Sequence, residues 1–233
     1  NATQEEASLG RYGQCMSTTA KALLKLFGVL PCQGRVGYLS AAIVNLLLLS
    51  AAVGPLIAFS DSHRHVVWSA FNGSLMCLGM MMALFCNRRN KTHKLVAPEC
   101  CPPKLYSQWM STIPSDLLSA SLFFFTQIAF IRPFKAFWGH AAGQDCENYD
   151  SWSLQLSHVV AAAVFSMLMF LKLHVLSCLD LMIDDFSRQY AEHGNAEHGI
   201  WQWSLIQATL NQASNRLEGS FLMSFTAITA GFA

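Results

Sequence analysis

Charge is scarce in this chain. Asp, Glu, Lys and Arg make up 12% of its 233 residues, against about 25% in an ordinary soluble domain. Hydrophobic residues make up 53%, and mean hydropathy is positive. That composition belongs to the membrane class and argues against a soluble enzyme. A net charge of +1 leaves no basic field for nucleic acid, so no nucleic-acid partner is expected. The eight cysteines (Cys15, Cys32, Cys77, Cys86, Cys100, Cys101, Cys146 and Cys178) form no Cys-x-x-Cys pair and no zinc spacing. Also missing are the P-loop, HExxH, GxSxG and protein-kinase signatures. No catalytic residue, metal site or cofactor is therefore expected.

The residue types that carry such chemistry do not converge. Asp184 and Asp185 are adjacent, and on a helix they point about 100° apart, so a solvated face is expected. His63 and His65 alternate as extended-loop ligands do, but lack a third partner. His158 and His174 stand too far apart along one helix to share a site. Cys100-Cys101, flanked by Pro98 and Pro102-Pro103, read as plain loop thiols, with palmitoylation as the alternative. No disulfide is expected at Cys146.

Long apolar runs are what the chain does have. A membrane span takes about 20 mostly apolar residues. Such runs cover Val36 to Phe59, Val66 to Cys86, Leu117 to Ile131 and Leu154 to Leu171, and a further one opens at Gly219 and reaches Ala233. The chain begins on Asn1 rather than Met and stops inside an apolar run, so a fragment is expected. The expected fold class is all-α: a polytopic membrane helical bundle with five spans, the fifth truncated, of an expected seven. Within it, Asn45 should face other helices. Pro114-Ser115-Asp116 should cap the third helix, and Pro133 should stop or kink it before a loop over 139–153. Arg88, Arg89, Lys91, Lys94 and Lys104 crowd the loop after the second run, and Arg11, Lys21, Lys25 and Arg35 precede the first. By the positive-inside rule both segments are cytoplasmic. The sequons at Asn1, Asn72 and Asn90 then fall inside the cell or within a span and should stay unmodified.

The fourth run continues without a turn into Leu173 to Phe186, where Asp180, Asp184, Asp185 and Arg188 intrude. One helix should thus leave the bilayer as an amphipathic stretch, with Lys172 snorkelling at the boundary and Gly194 at its end. A second amphipathic stretch from Ile200 to Glu218, with Leu205, Ile206, Leu210 and Leu217 on its apolar face, leads into the fifth run. The expected organisation is a cytoplasmic segment over 1–35, four spans over 36–171, a cytoplasmic helical hairpin over 172–218 and the start of a fifth span over 219–233. The first three spans hold few ionisable groups and offer Asn45, Ser69, Asn72, Ser74, Ser119, Ser121, Thr126 and Gln127. Weakly polar positions among aromatics suit an uncharged organic ligand.

The segment Lys21-Ala22-Leu23-Leu24-Lys25-Leu26-Phe27-Gly28-Val29-Leu30-Pro31 resembles the Leu-Phe-Gly-Leu-x-Pro entry of arthropod gustatory receptors. A basic loop after the second span follows, then a long fourth helix through Leu179-Asp180-Leu181-Met182-Ile183-Asp184-Asp185-Phe186. The stretch from Leu210-Asn211-Gln212 to Gly219-Ser220-Phe221 is similar to the family's approach to its fifth helix. The order covers nearly the whole chain, whereas the family's best motif, a Thr-Tyr with a later Gln-Phe in a seventh helix, does not occur in it.

The resemblance implies a chemosensory receptor in the plasma membrane, a ligand-gated non-selective cation channel subunit that takes small organic tastants. It implies a homo- or hetero-tetramer with 172–218 at the subunit interface, and a ligand pocket in the outer half of the bundle. The candidates there are Trp68, Phe71 and Asn72 on the second span, Gln127 and Phe130 on the third, and His158 with Ala161 on the fourth. Packing or interfacial anchoring is the plainer role for each. A multi-pass transporter competes, supported by Gly54-Pro55. A G-protein-coupled receptor is opposed by the basic loop, and a membrane enzyme built on His158 lacks an acidic partner.

Overall fold

The computed structural model describes residues 18–27, 35–58, 64–96, 103–141, 152–194 and 196–232. Among them every regular element is a helix: α1 (18–26), α2 (Arg35–Ala58), α3 (Arg64–Arg89), a 3-10 turn (Thr92–Val96), α4 (Pro103–Ser111), α5 (Ile113–Ala141), α6 (Trp152–His193) and α7 (Ala196–Phe232). Three of these contain stretches long and apolar enough to cross a membrane: Leu39–Ile57, Ala70–Arg89 and Gln155–Glu192. They coincide with the first, second and fourth apolar runs. The third run lies within α5 and the fifth at the end of α7.

Contacts show that α5 and α6, and α6 and α7, run antiparallel. The Ser74 hydroxyl of α3 donates to the Ala52 carbonyl of α2. Asp116 and Phe123 of α5 meet His174 and Phe165 of α6. Lys172 and Phe186 of α6 meet Phe221 and Trp203 of α7. Helix α3 is central, packing on α2, α6 and α7, while α5 lies along α6. The approach of α3 to α7 requires glycine: a Cβ on Gly79 would stand 2.3 Å from the Ala227 Cβ and 3.1 Å from its Cα. Small residues of this kind let helix backbones close up where lipid removes the hydrophobic drive between helices. Leu48, Met80, Leu84, Val164, Leu168 and Leu171 fill the core. Outside, Leu46, Ile57, Phe85, Leu122, Phe125 and Leu222 are exposed, an apolar belt that a water-soluble monomer rarely carries.

The hairpin follows the sequence closely. Helix α6 spans 42 residues in one piece and stops at Gly194, whose φ of +60° is left-handed. The Gly194 N–H donates to the Tyr190 carbonyl at 3.0 Å, the single bond that closes an αL cap. Helix α7 then returns for 37 residues without a break. Beneath the bundle, Leu105 and Trp109 of α4 pack with Cys178, Met182 and Ile206, and Leu95 packs with Val175, Leu179 and Ala213. The segment after α3 is thereby folded onto the hairpin.

Several local expectations need correction. Helix α5 runs through Pro133 to Ala141, so Pro133 does not stop it. The Asn45 side chain donates to the Ala41 carbonyl at 2.8 Å, satisfying itself within its own helix. Leu205 is exposed; the apolar face of α7 is Ile206, Leu210, Ala213 and Leu217, spaced by helical turns. Lys172 does not snorkel but is buried against Phe221. The loop thiols Cys100, Cys101 and Cys146, the Asn1 sequon, His63 and most of the 139–153 loop lie outside the described residues.

Candidate functional site

Helices α3 and α6 cross at Gly73. A Cβ there would lie 2.6 Å from the Ser157 Oγ and 3.3 Å from the His158 Cε1. The Cys77 thiol sits 3.4 Å from the Ser157 carbonyl on the same crossing. His158 and Ala161 are buried. Trp68 and Phe71 stand exposed on α3, paired with each other at 5.8 Å between ring centroids, and do not join them. Asn72 is half-buried, Gln127 is half-buried on α5, and Phe130 is placed on α5 with its side chain outside the described residues.

The paired helices α5 and α6 each carry a buried polar group without a hydrogen-bond partner. One is the Gln127 Nε2, the other the Ser166 Oγ, and both atoms are buried. Ser166 is 1% exposed. It belongs to the ridge His158, Ala162, Ser166, Phe170 and His174, which recurs at every fourth residue of α6. On α5 the facing stripe is Asp116, Ala120, Phe123 and Gln127. The register set by Asp116 with His174 and by Phe123 with Phe165 carries Gln127 to the level of Ala161. Of the other hydroxyls foreseen as ligand contacts, Ser119, Ser121 and Thr126 are spent on their own helices, on Ser115, Leu117 and Leu122, and Ser74 is shared between Ala70 of its own helix and Ala52 of α2. Gln127 is one of the expected ligand residues. Ser166 was missed, because a helical serine ordinarily back-bonds to the preceding turn and nothing in its neighbours marks the exception. Each buried group left without a partner costs about 1–3 kcal/mol. A small molecule that accepts from the amide and bonds the hydroxyl would recover that cost.

At the other end of the α5–α6 pair lies a polar cluster that the sequence does not announce. The His174 Nδ1 is 2.9 Å from the Asp116 Oδ2, and the Ser177 hydroxyl donates to the Asp116 Oδ1 at 3.0 Å. Where the carboxylate is ionised it only accepts, and the imidazole Nδ1–H is then the donor. The Thr112 hydroxyl reaches the Asp116 Oδ2 at 3.1 Å. Trp109 stacks on His174 at 4.6 Å and donates its indole N–H to the His174 carbonyl at 2.6 Å. Phe170 stacks on the imidazole at 5.9 Å. Asp116 is therefore not a cap. Thr112 occupies that position, its carbonyl accepting from the Asp116 N–H at 3.0 Å, and Pro114 sits in the first turn where no N–H is needed.

The remaining candidates for chemistry stay apart. Asp185 binds Arg188 at 2.6 Å and Gln189 at 2.7 Å, while Asp184 is exposed. Among the described residues no group of His, Cys, Asp and Glu is arranged to hold a metal ion. No protein-family model matches the chain, and no curated protein or solved structure matches it.

Proposed function

We propose that this chain is part of a chemosensory receptor, a subunit of a ligand-gated non-selective cation channel with its N-terminus in the cytosol of a plasma membrane. On this reading α2, α3, α5, α6 and α7 all enter or cross the bilayer. The observation that carries the reading is α6. Its 42 residues rise about 63 Å, roughly twice the hydrocarbon core of a bilayer. The surplus is paired with α7 as a hairpin and packed against α4. Transport loops are usually short, whereas a receptor channel needs a platform that joins ligand site, pore and neighbouring subunits. The ligand would be a small, uncharged organic molecule with a hydrogen-bonding group, lodged between α5 and α6 beside Gln127, Ser166, His158 and Ala161. The pair Trp68 and Phe71 would anchor at the lipid interface instead, since both are exposed. The resemblance to gustatory receptors supports a tetramer with the hairpin at the subunit contact.

A multi-pass transporter is the second reading. Buried ionisable groups inside a membrane bundle mark ion or proton pathways by default, and Asp116, Lys172 and His174 are buried ionisable groups at one end of this bundle. Recording from cells that express the complete gene product decides between the two. Cation current evoked by a panel of neutral organic compounds is the expected result. Uptake of a compound without current would replace the channel by the transporter.

A further inference from the structure

We infer that Lys172 is the centre of a binding site for an anionic phosphate group at the basic end of the bundle. The inference needs the bundle to cross a bilayer but not to be a chemosensory channel. Lys172 is 5% exposed. Its ammonium has no hydrogen-bond partner, and among the described residues no carboxylate pairs with it. Its contact is the ring of Phe221, 4.8 Å from Nζ to the centroid. A cation over an aromatic face is attracted to it, but a ring replaces none of the three hydrogen bonds an ammonium donates. A buried charge in that condition is costly unless something completes it.

The surroundings point to what completes it. Phe221 follows Gly219, whose Cα faces Asn90 and Cys86 at the C-terminal end of α3. Arg88 and Arg89 close that helix, and Lys91, Lys94 and Arg216 stand beside it. Arg216 is tied there by its carbonyl, which accepts from the Asn90 amide at 3.2 Å. Positive charge is thus gathered at the C-terminal end of α3, where a bilayer crossed by this bundle would present its phosphates. The Phe221 ring is itself 51% exposed on the outside of the bundle. The ring that covers the ammonium is thus itself on the surface of the bundle. The ligand chemistry is a phosphate monoanion, carried by an anionic phospholipid or free in solution.

The test follows the unfolding temperature of the purified chain in micelles by tryptophan fluorescence. Phosphatidylglycerol is titrated against equal amounts of phosphatidylcholine, and in a separate arm inorganic phosphate is titrated. Phosphatidylglycerol should raise the midpoint of the unsubstituted chain, and Lys172→Met should weaken the apparent affinity about tenfold or more, the loss of one charge-assisted hydrogen bond. Phe221→Leu should keep the response. A Lys172-dependent response to phosphatidylglycerol alone identifies the lipid as the source, and one shared with inorganic phosphate identifies a soluble phosphate. Equal responses in the unsubstituted chain and Lys172→Met, or no response to either anion, overturn the site. Should Lys172→Met not fold, reductive methylation of the Lys172 amine in the unsubstituted chain serves instead. Slower methylation with either anion supports the site, and an unchanged rate with both refutes it.

Discussion

The imidazole of His174 and the carboxylate of Asp116 meet at 2.9 Å where α6 leaves the bundle. Trp109, from the helix just before α5, stacks on the same imidazole at 4.6 Å. Three successive helices are therefore clamped through one side chain. Removing one partner strands the other in a buried setting, at about 1–3 kcal/mol. Asp116→Asn and His174→Gln should each lower the unfolding temperature in micelles. In a double-mutant cycle the two should couple by about 1 kcal/mol or more, as residues in one hydrogen-bonded network do. Additive losses would mean that the clamp does not exist.

Glycine at position 79 should be indispensable, and glycine at position 54 should not. A Cβ on Gly79 meets Ala227 at 2.3 Å, whereas one on Gly54 meets nothing within 4 Å. Gly79→Ala is expected to cost about 1–3 kcal/mol by overpacking, and Ala227→Gly should recover part of that loss. Gly54→Ala should be neutral or slightly stabilising, since alanine is the better helix former by about 1 kcal/mol. Unfolding midpoints of the three variants check the contrast.

Gly194 sets the hairpin turn in the left-handed region, at φ +60°. An L-residue there costs about 1–2 kcal/mol. Gly194→Ala should lower the unfolding temperature, and Gly194→Asn should lower it less. Hydrogen exchange should show the loss concentrated at residues flanking the turn, on α6 and α7. An effect of equal size for both substitutions would contradict the backbone argument.

The sequon at Asn90 should remain bare. The Asn90 amide donates to the Arg216 carbonyl at 3.2 Å, and Thr92 is fully buried with its hydroxyl on the Asn87 carbonyl at 2.9 Å. Neither side chain is open to a transferase, whichever side of the membrane it faces. Expression in a glycosylating cell, followed by glycosidase treatment and mass measurement, should show no glycan mass at this site. A glycan on Asn90 would also place the basic loop outside the cell and reverse the orientation.

The helices were legible because apolar runs and their charged flanks report length and boundary directly. The continuous α6, its stop at Gly194 and the return through α7 were all foreseen, since an αL glycine and an amphipathic pattern are local signals. Partnerships between helices were not. Asp116 reads as a capping residue in sequence because caps are local, yet its carboxylate reaches His174 and Ser177 on α6. Lys172 reads as a snorkelling lysine because its rotamer depends on Phe221, far along the chain. Leu205 and Ile206 are equally apolar, and only the packing of α4 decides that Ile206 is the buried one. Of the expected ligand residues, His158 is buried at the crossing with α3, Ala161 is buried on α6 and Gln127 is half-buried on α5, while Trp68 and Phe71 turn outward. Ser166 carries no sequence mark at all.

The ligand site proposed between α5 and α6 is tested most directly by substituting the two partnerless polar groups, Gln127 and Ser166, in the full-length protein. Gln127→Leu and Ser166→Ala each remove a buried group that has no partner, so the unfolding temperature should hold or rise. The concentration of ligand giving half-maximal current should increase about tenfold, the worth of one hydrogen bond to a ligand. Stability retained with potency lost is the result predicted here. Unchanged potency in both variants would contradict that ligand site, and with it the reading of this bundle as a receptor that binds between α5 and α6.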